Sequence, residues 1–472
     1  MSDEVRLAEA GVDAPASAPL PEMSQRRVLR LALPIIGENL LQTMVGVVDT
    51  LFVAALGSAA LAGVGVALEV VFFAIAILSS IAIGGTVLVS QAIGARSPER
   101  ANQLARQTVL WGVLLSIPLA VLGYTFAPAI VSVFHTEPDV AEHAVTYLRI
   151  TGGTIVTLLM TFVCGAVLRG AGDSQTPLRA SLIANAINVF LAYSMIFGEF
   201  GFPRLEVAGS AWSTTIGRGV GAAILLWFLF SGRRAVSLKG SVGWAPRIRT
   251  ARNLLSLGVP AAIEQMLMSA GFTTMIAIVA VIGTDALAAQ QISFNALSLA
   301  FLPGFGFATA ATALVGQSLG ARDPDAAQSA SRISARWSLI WMTAGGAIYF
   351  FLSKPILRIF TDEAIVIEHG DGALKALAIS LPFWTFWTVY GGSLRGLGDS
   401  RTPMVASAIS MWLAVGLAWM AVNWFDGSLT SVWGTFLVTS PIAALINTIA
   451  FRRRLKSTRE DLRAGLPPPA PA

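Results

Sequence analysis

The sequence predicts an all-α polytopic membrane protein of twelve transmembrane helices, in two six-helix lobes related by a parallel pseudo-two-fold repeat. Three observations carry this reading. Of 472 residues, 55% are hydrophobic and 12% charged, about half the charged fraction of a soluble globular protein, and the mean hydropathy is +0.69. So few charges cannot coat a water-exposed surface, which excludes a soluble enzyme. The chain also divides into apolar runs near the roughly 20 residues that a spanning helix needs. Finally, it repeats itself.

The repeat comes first because it fixes the architecture. QAIGARSPERA at 91–101 answers GQSLGARDPDAA at 316–327, and LRGAGDSQTP at 168–177 answers LRGLGDSRTP at 394–403. Both pairs lie 226 residues apart, and the same offset aligns Pro34 with Pro260, Glu38 with Glu264, Gly57 with Gly283 and His143 with His369. Apolar runs bounded by charge, Gly and Pro place spans near 30–54, 61–91, 104–124, 142–167, 178–198 and 207–231. Their counterparts fall near 254–281, 287–317, 332–352, 372–393, 403–424 and 431–451. Six spans per half is an even number, so both halves start from the same side of the membrane.

Orientation follows from the basic residues. With the N-terminus inside, the cytoplasmic loops and tails hold 26 of the 32 Lys and Arg, while acids such as Glu137, Asp139, Glu206, Asp285, Asp362 and Asp371 gather outside. The net charge of +5 is therefore a topology signal and does not point to nucleic acid. The expected order is a cytoplasmic tail over 1–29, a lobe over 30–231, a cytoplasmic linker over 232–252, a lobe over 253–453 and a tail over 454–472. Residues 1–29 hold no apolar run of the signal-peptide kind, and the single cysteine, Cys164, permits no intramolecular disulfide. A monomer in the plasma (inner) membrane, with both termini cytoplasmic, is expected.

These residues resemble one family. The long second span of each half ending in a GAR-type loop, the paired LRGxGDSxTP loops after spans 4 and 10, and the first-span string LPIIGENLLQTMVGVVDTLFVAALG resemble the multidrug and toxic compound extrusion (MATE) transporters. The resemblance covers roughly 26–455. It implies two lobes around a central cavity and ion-driven export by alternating access.

Four acids fall within spans: Glu38, Asp49, Glu69 and Glu264. Each costs about 2.5–3.5 kcal/mol at mid-membrane on insertion scales, so its retention means pairing, protonation or function. Glu38 and Asp49 share a face with Gln42, because eleven residues bring a helix only about 20° past three full turns; they stand about 16 Å apart. The functional reading makes this face a cavity wall that binds a proton or cation. The other reading makes each acid a hydrogen-bond partner for a neighbouring helix. The resemblance implies a coupling role for Asp49, and for Glu264 in PAAIEQMLM, where many relatives carry a cation-binding glutamate. It likewise implies that Asn188 belongs beside a coupling carboxylate.

Two departures bear on the ion. Where many relatives carry an aspartate in the tenth span this chain has Trp384, and where others carry one four residues after the fifth-span asparagine it has Ala192. The first departure weakens sodium coupling. Proton coupling through Asp49 stays open, since burial favours the neutral carboxyl and allows exchange, and protons are preferred.

Polar and aromatic residues add cavity candidates. Asn185 and Asn188 share a face of span 5, and Gln290, Gln291, Asn295 and Ser298 give span 8 a polar stripe, although intramembrane amides also serve as interhelical glue. Span 10 offers Phe383, Trp384, Phe386, Trp387 and Tyr390. Such a cluster either binds organic cations on ring faces or packs the lobe. Met44, Met160, Met266, Met268 and Met275 could extend an adaptable lining.

The repeated loops read as structural: glycines for a tight turn, Asp and Ser as caps, Pro for a first helical turn. His135, His143 and His369 lie on the external side and suggest no metal site. With no Walker A, H-E-x-x-H or G-x-S-x-G string, nothing points to an enzyme or a cofactor. Transport would be secondary, with a proton or sodium ion, a small organic substrate and the bilayer as partners. The favoured function is antiport of amphipathic, cationic compounds out of the cell. The alternative is a flippase for a lipid-linked precursor, whose polyanionic headgroup would want basic residues, yet only Arg149, Arg218 and Lys375 lie near span depth.

Overall fold

The computed structural model describes residues 23–464. The helices follow the repeat. In the first half these are α1 (Gln25–Ala54), α2 (Ser58–Gly94), α3 (Pro98–Thr125), the short α4 (Ala127–Ser132), α5 (Pro138–Gly153), α6 (Ile155–Gly170), α7 (Gln175–Phe197) and α8 (Val207–Ser231). In the second half they are α9 (Ile248–Ile282), α10 (Thr284–Gly320), α11 (Pro324–Phe351), the short α12 (Ser353–Arg358), α13 (Ala364–Gly396), α14 (Arg401–Phe425) and α15 (Leu429–Arg463).

Among the described residues, eight helices are long and apolar enough to cross a membrane, and two bent pairs raise this to ten. One pair is α5–α6, bent by 49°; the other lies within α10, bent by 43°. The long helices α11 and α13 take the repeat positions of α3 and α5–α6 and complete the twelve. Helix boundaries run past the expected tails. Ser24 caps α1, accepting a hydrogen bond from the Arg27 amide, so the helix starts inside the stretch read as a tail. Likewise α15 continues to Arg463. The remainder of both tails lies outside the described residues.

Each lobe has its own apolar core, one built from residues between Val53 and Leu238, the other between Met275 and Ala443. The first turns of α1 and α9 are exceptions. Val28, Leu31, Ala32 and Ile35 pack with Phe307, Leu314, Phe451 and Leu455 of the second lobe. Leu254 and Leu257, the repeat equivalents of Val28 and Leu31, pack on Val87 and Leu88 of the first. Each lobe thus lends its opening helix to the other on one side of the molecule. Pro34 and Pro260 follow these crossings within α1 and α9, where a proline removes a backbone hydrogen bond and allows a bend.

The interlobe linker lies on this same side and is held by the first lobe. Arg106 of α3 donates to the carbonyls of Leu238, Lys239 and Val242, and Gln107 donates to those of Gly243 and Ala245 at 2.6 and 2.7 Å. Close approaches between the lobes also concentrate here. A Cβ at Gly258 would lie 1.8 Å from the Ser80 carbonyl, and one at Gly84 would lie 2.4 Å from that of Leu254. Toward the opposite side, Gly46 of α1 and Gly65 of α2 face open space. The lobes are closely packed on the linker side.

Candidate functional site

Two polar arrangements occupy the span interiors, and the repeat separates them. The first is duplicated. Glu38 of α1 accepts from Arg169 of α6 at 3.0 Å and from Ser181 of α7 at 3.2 Å. Glu264 of α9 accepts from Arg395 of α13 at 2.5 Å and from Ser407 of α14 at 2.7 Å. All three partners correspond through the offset of 226 residues. Both carboxylates read from sequence as cation-coupling groups are therefore committed to ion pairs with the arginines of the LRG motifs. Each carboxylate is thus also a hydrogen-bond partner of neighbouring helices.

The second arrangement occurs once, in the first lobe. Helices α1 and α7 run side by side in the same direction, tied by Glu38–Ser181 at one end and by Phe52 against Tyr193 (5.9 Å) and Phe197 (6.0 Å) at the other. Asp49 lies one turn before Phe52 and is half-buried. Its Oδ1 is buried with no hydrogen-bond partner among the described residues. Arg218 of α8 and Tyr147 of α5 lie within electrostatic range of it. Asn188 donates to Thr214 Oγ1 at 3.3 Å, and its own Oδ1 is buried and free of partners among the described residues.

The packing that makes this possible is local. Helices α7 and α8 meet so closely that a Cβ at Gly217 would lie 2.9 Å from the Ala184 carbonyl and from Asn188 Cβ. That contact sets Asn188 beside Thr214, one turn before Arg218. No carboxylate lies within 4.0 Å of Arg218 among the described residues. At the repeat positions of Asp49, Tyr147 and Asn188 the second lobe has Met275, Ala373 and Ala414, all buried, and α15 carries no ionisable residue before Arg452. The Glu–Arg–Ser triads are duplicated, whereas the Asp49 group has no counterpart in the second lobe.

The other predicted residues divide. Gln42 is exposed on α1, and Asn185 is half-buried with an unpartnered Nδ2 among the described residues. The stripe on α10 splits: Gln290 turns inward with its Oε1 unpartnered among the described residues, whereas Gln291 and Asn295 are exposed. Glu69, the repeat partner of Asn295, is exposed too.

The aromatic cluster, read either as a ring-face binding site or as lobe packing, lies largely in the second lobe's core. Trp384, at 2% exposure, sits edge-on to Phe301 (4.7 Å), Phe436 (5.5 Å) and Trp387 (5.8 Å). Trp387 donates to Ser407 at 2.8 Å, extending the Glu264 triad. Tyr390 packs on Phe386 and Phe451. Half-buried Met268 packs against the same core. Large apolar rings form much of the second lobe's interior, beside the Glu264 triad.

Sequence reasoning missed Tyr147 and Thr214, and it weighed Arg218 only as an anion ligand. An intramembrane arginine with no like-numbered partner was the available signal.

The chain is similar to known proteins over nearly its whole length. It is 32% identical over 439 residues to the probable multidrug resistance protein NorM of Thermotoga maritima, covering 93% of this chain and 92% of that protein. It is 29% identical over 463 residues to the multidrug resistance protein NorM of Burkholderia vietnamiensis, covering 96% and 98%. A solved structure described as the outward-facing conformation of a multidrug resistance MATE family transporter superposes with a TM-score of 0.85 at 21% identity, covering 93% and 97%. The MatE family model matches residues 34–194 and again 260–420, the two segments related by the repeat offset, and the chain belongs to the MATE transporter family.

Proposed function

We propose that this protein is a secondary active antiporter that exports amphipathic, cationic organic compounds, as the multidrug-resistance names of its relatives suggest, driven by protons through Asp49. The observation that carries the reading is the unduplicated first-lobe group: one carboxylate with an unsatisfied buried oxygen, in electrostatic range of Tyr147 and of one guanidinium, Arg218. Arg218 bears on the choice of ion. A second fixed cation beside it meets Coulomb repulsion that water cannot fully screen, whereas a proton is absorbed by the carboxylate itself. The missing tenth-span carboxylate, at Trp384, points the same way.

In this reading, deprotonated Asp49 holds the positive group of a substrate, and protonation from the external side releases it. With the N-terminus inside, as the Lys and Arg distribution supports, the linker side faces the cytoplasm, in the plasma (inner) membrane. Purified protein in liposomes tests this. Asp49→Asn should abolish dye transport driven by an imposed pH gradient while expression and folding stay intact, and an imposed sodium gradient alone should drive none. Transport by Asp49→Asn would refute the assignment of the carrier; transport on sodium alone would refute the ion.

A further inference from the structure

The LRGxGDSxTP motifs remain outside the ion site, yet nearly every residue in them has a defined task. In α6, the amides of Ala171, Gly172 and Asp173 bond to the carbonyls of Val167, Arg169 and Leu168. Gly172, at φ +90°, makes the turn. Asp173 accepts from the Thr176 amide at 3.0 Å and its hydroxyl at 2.6 Å, starting α7. The second lobe repeats each bond, from Leu397, Gly398 and Asp399 to Ser393, Arg395 and Leu394, with Gly398 at φ +88° and Asp399 on Thr402.

One carbonyl in each motif is left over. A helix end leaves its last carbonyls without intrahelical partners, and here the turn uses all but that of Gly170, and all but that of Gly396 in the other lobe. Both are taken by the opposite lobe. Gln317 of α10 donates to the Gly170 carbonyl at 3.0 Å, and Gln91 of α2 donates to the Gly396 carbonyl at 3.2 Å. Gln91 and Gln317 are repeat equivalents. They can reach because α2 and α10 cross backbone to backbone: a Cβ at Gly94 would lie 1.9 Å from the Gln317 carbonyl, and one at Gly320 would lie 2.0 Å from that of Gln91.

We propose that Gln91 and Gln317, with the two LRGxGDSxTP loops, form a two-fold latch that holds the linker side of the transporter shut, and that breaking it is an obligatory step of the transport cycle. Glu38 and Glu264 are positioning residues in this device. Each fixes the arginine that directly precedes the latched glycine, and so orients the carbonyl that the other lobe must find. The two arms differ. Arg27 also donates to Gln317 Oε1 at 2.9 Å, whereas its repeat position holds the exposed Asn253. The Gln317 arm is the stronger.

The latch involves neither Asp49 nor the identity of the ion, so it is tested by distance and stands or falls apart from the coupling assignment. Spin labels at Glu99→Cys and Arg332→Cys, exposed on opposite lobes, report linker-side separation in the full chain in liposomes. Gln91→Met with Gln317→Met keeps side-chain length and removes both donors. Losing two hydrogen bonds of ordinary strength should raise the open-to-closed ratio by roughly ten- to a hundredfold, and Gln317→Met alone should do more than Gln91→Met alone.

A second variant guards against simple misfolding. In Gln317→Glu the ionised side chain cannot donate to a carbonyl but the protonated one can. The label distance should therefore lengthen as pH rises through the carboxyl's titration, while the parent label pair shows no such step. An unchanged distance distribution in the double variant, or a Gln317→Glu protein without a pH step beyond the parent's, would overturn the proposal.

Discussion

Glu38 and Arg169 meet at 3.0 Å across 131 residues of sequence, and Glu264 and Arg395 meet across the same separation in the second lobe. A carboxylate so engaged is a strut, and its removal leaves a guanidinium unpaired in a largely buried place. Breaking a buried ion pair on one side only is costly, typically about 3–5 kcal/mol. Glu38→Ala is expected to lower stability by about 3 kcal/mol in a denaturation assay. Glu38→Leu combined with Arg169→Leu should lose less than Glu38→Ala, because no charge is left alone. If Glu38 instead carried the coupling ion, the double variant would lose ion dependence with stability unchanged.

Trp384 gives a second prediction. Enclosed by Phe301, Trp387 and Phe436, it is a packing group, and removing a core aromatic side chain costs about 3–5 kcal/mol. Trp384→Ala should lower the unfolding temperature markedly while leaving the KM for dyes near the parent value. A large KM change at unchanged stability would return Trp384 to the substrate path.

The architecture was legible in the sequence because it rests on collective signals. Span count, repeat offset and lobe boundaries each sum over many residues, and the family matches at 34–194 and 260–420 fall on the same register. Individual sites were less legible. Equivalence of Glu38 and Glu264 was visible, but their arginines lie 131 residues away, on helices whose rotation no local pattern fixes. The span 10 aromatics offered two uses with the same residue types, and only the fold decides which way a ring points. The useful signal at the site was the inverse of repetition: Asp49 faces Met275 across the repeat, and Asn188 faces Ala414.

Asp371, at the end of α13 nearest the short α12, supplies a pH prediction. Burial alone would raise its carboxyl, but hydrogen bonds from Ser353 and from Lys375, the latter at 2.9 Å, outweigh it and hold it below the ordinary carboxylate range. A depressed folded-state value contributes stability above the ordinary carboxylate range, and that contribution is lost as pH falls through the depressed one. The parent should therefore lose more thermal stability than Asp371→Asn when pH is lowered from 7 into the carboxylate range. Equal losses would show that the α12–α13 contact does not depend on this charge.

Arg218 is expected to separate substrates by charge. It stands at the Asp49 site with no carboxylate within 4.0 Å among the described residues, so its field opposes any cationic group that approaches Asp49. Arg218→Met removes a like charge while keeping an unbranched apolar stem. At an effective dielectric near 20, unit charges about 10 Å apart interact by roughly 1.7 kcal/mol, and solvent screens part of that. The KM for a monovalent cationic dye should fall about fivefold in Arg218→Met, and the KM for a zwitterionic compound of similar size should rise, because it loses the partner of its anionic end. Measured side by side in the same liposomes, equal shifts for both compounds would mean that Arg218 only shapes the cavity, whereas opposite shifts identify it as the residue that tempers the carboxylate's preference for cations.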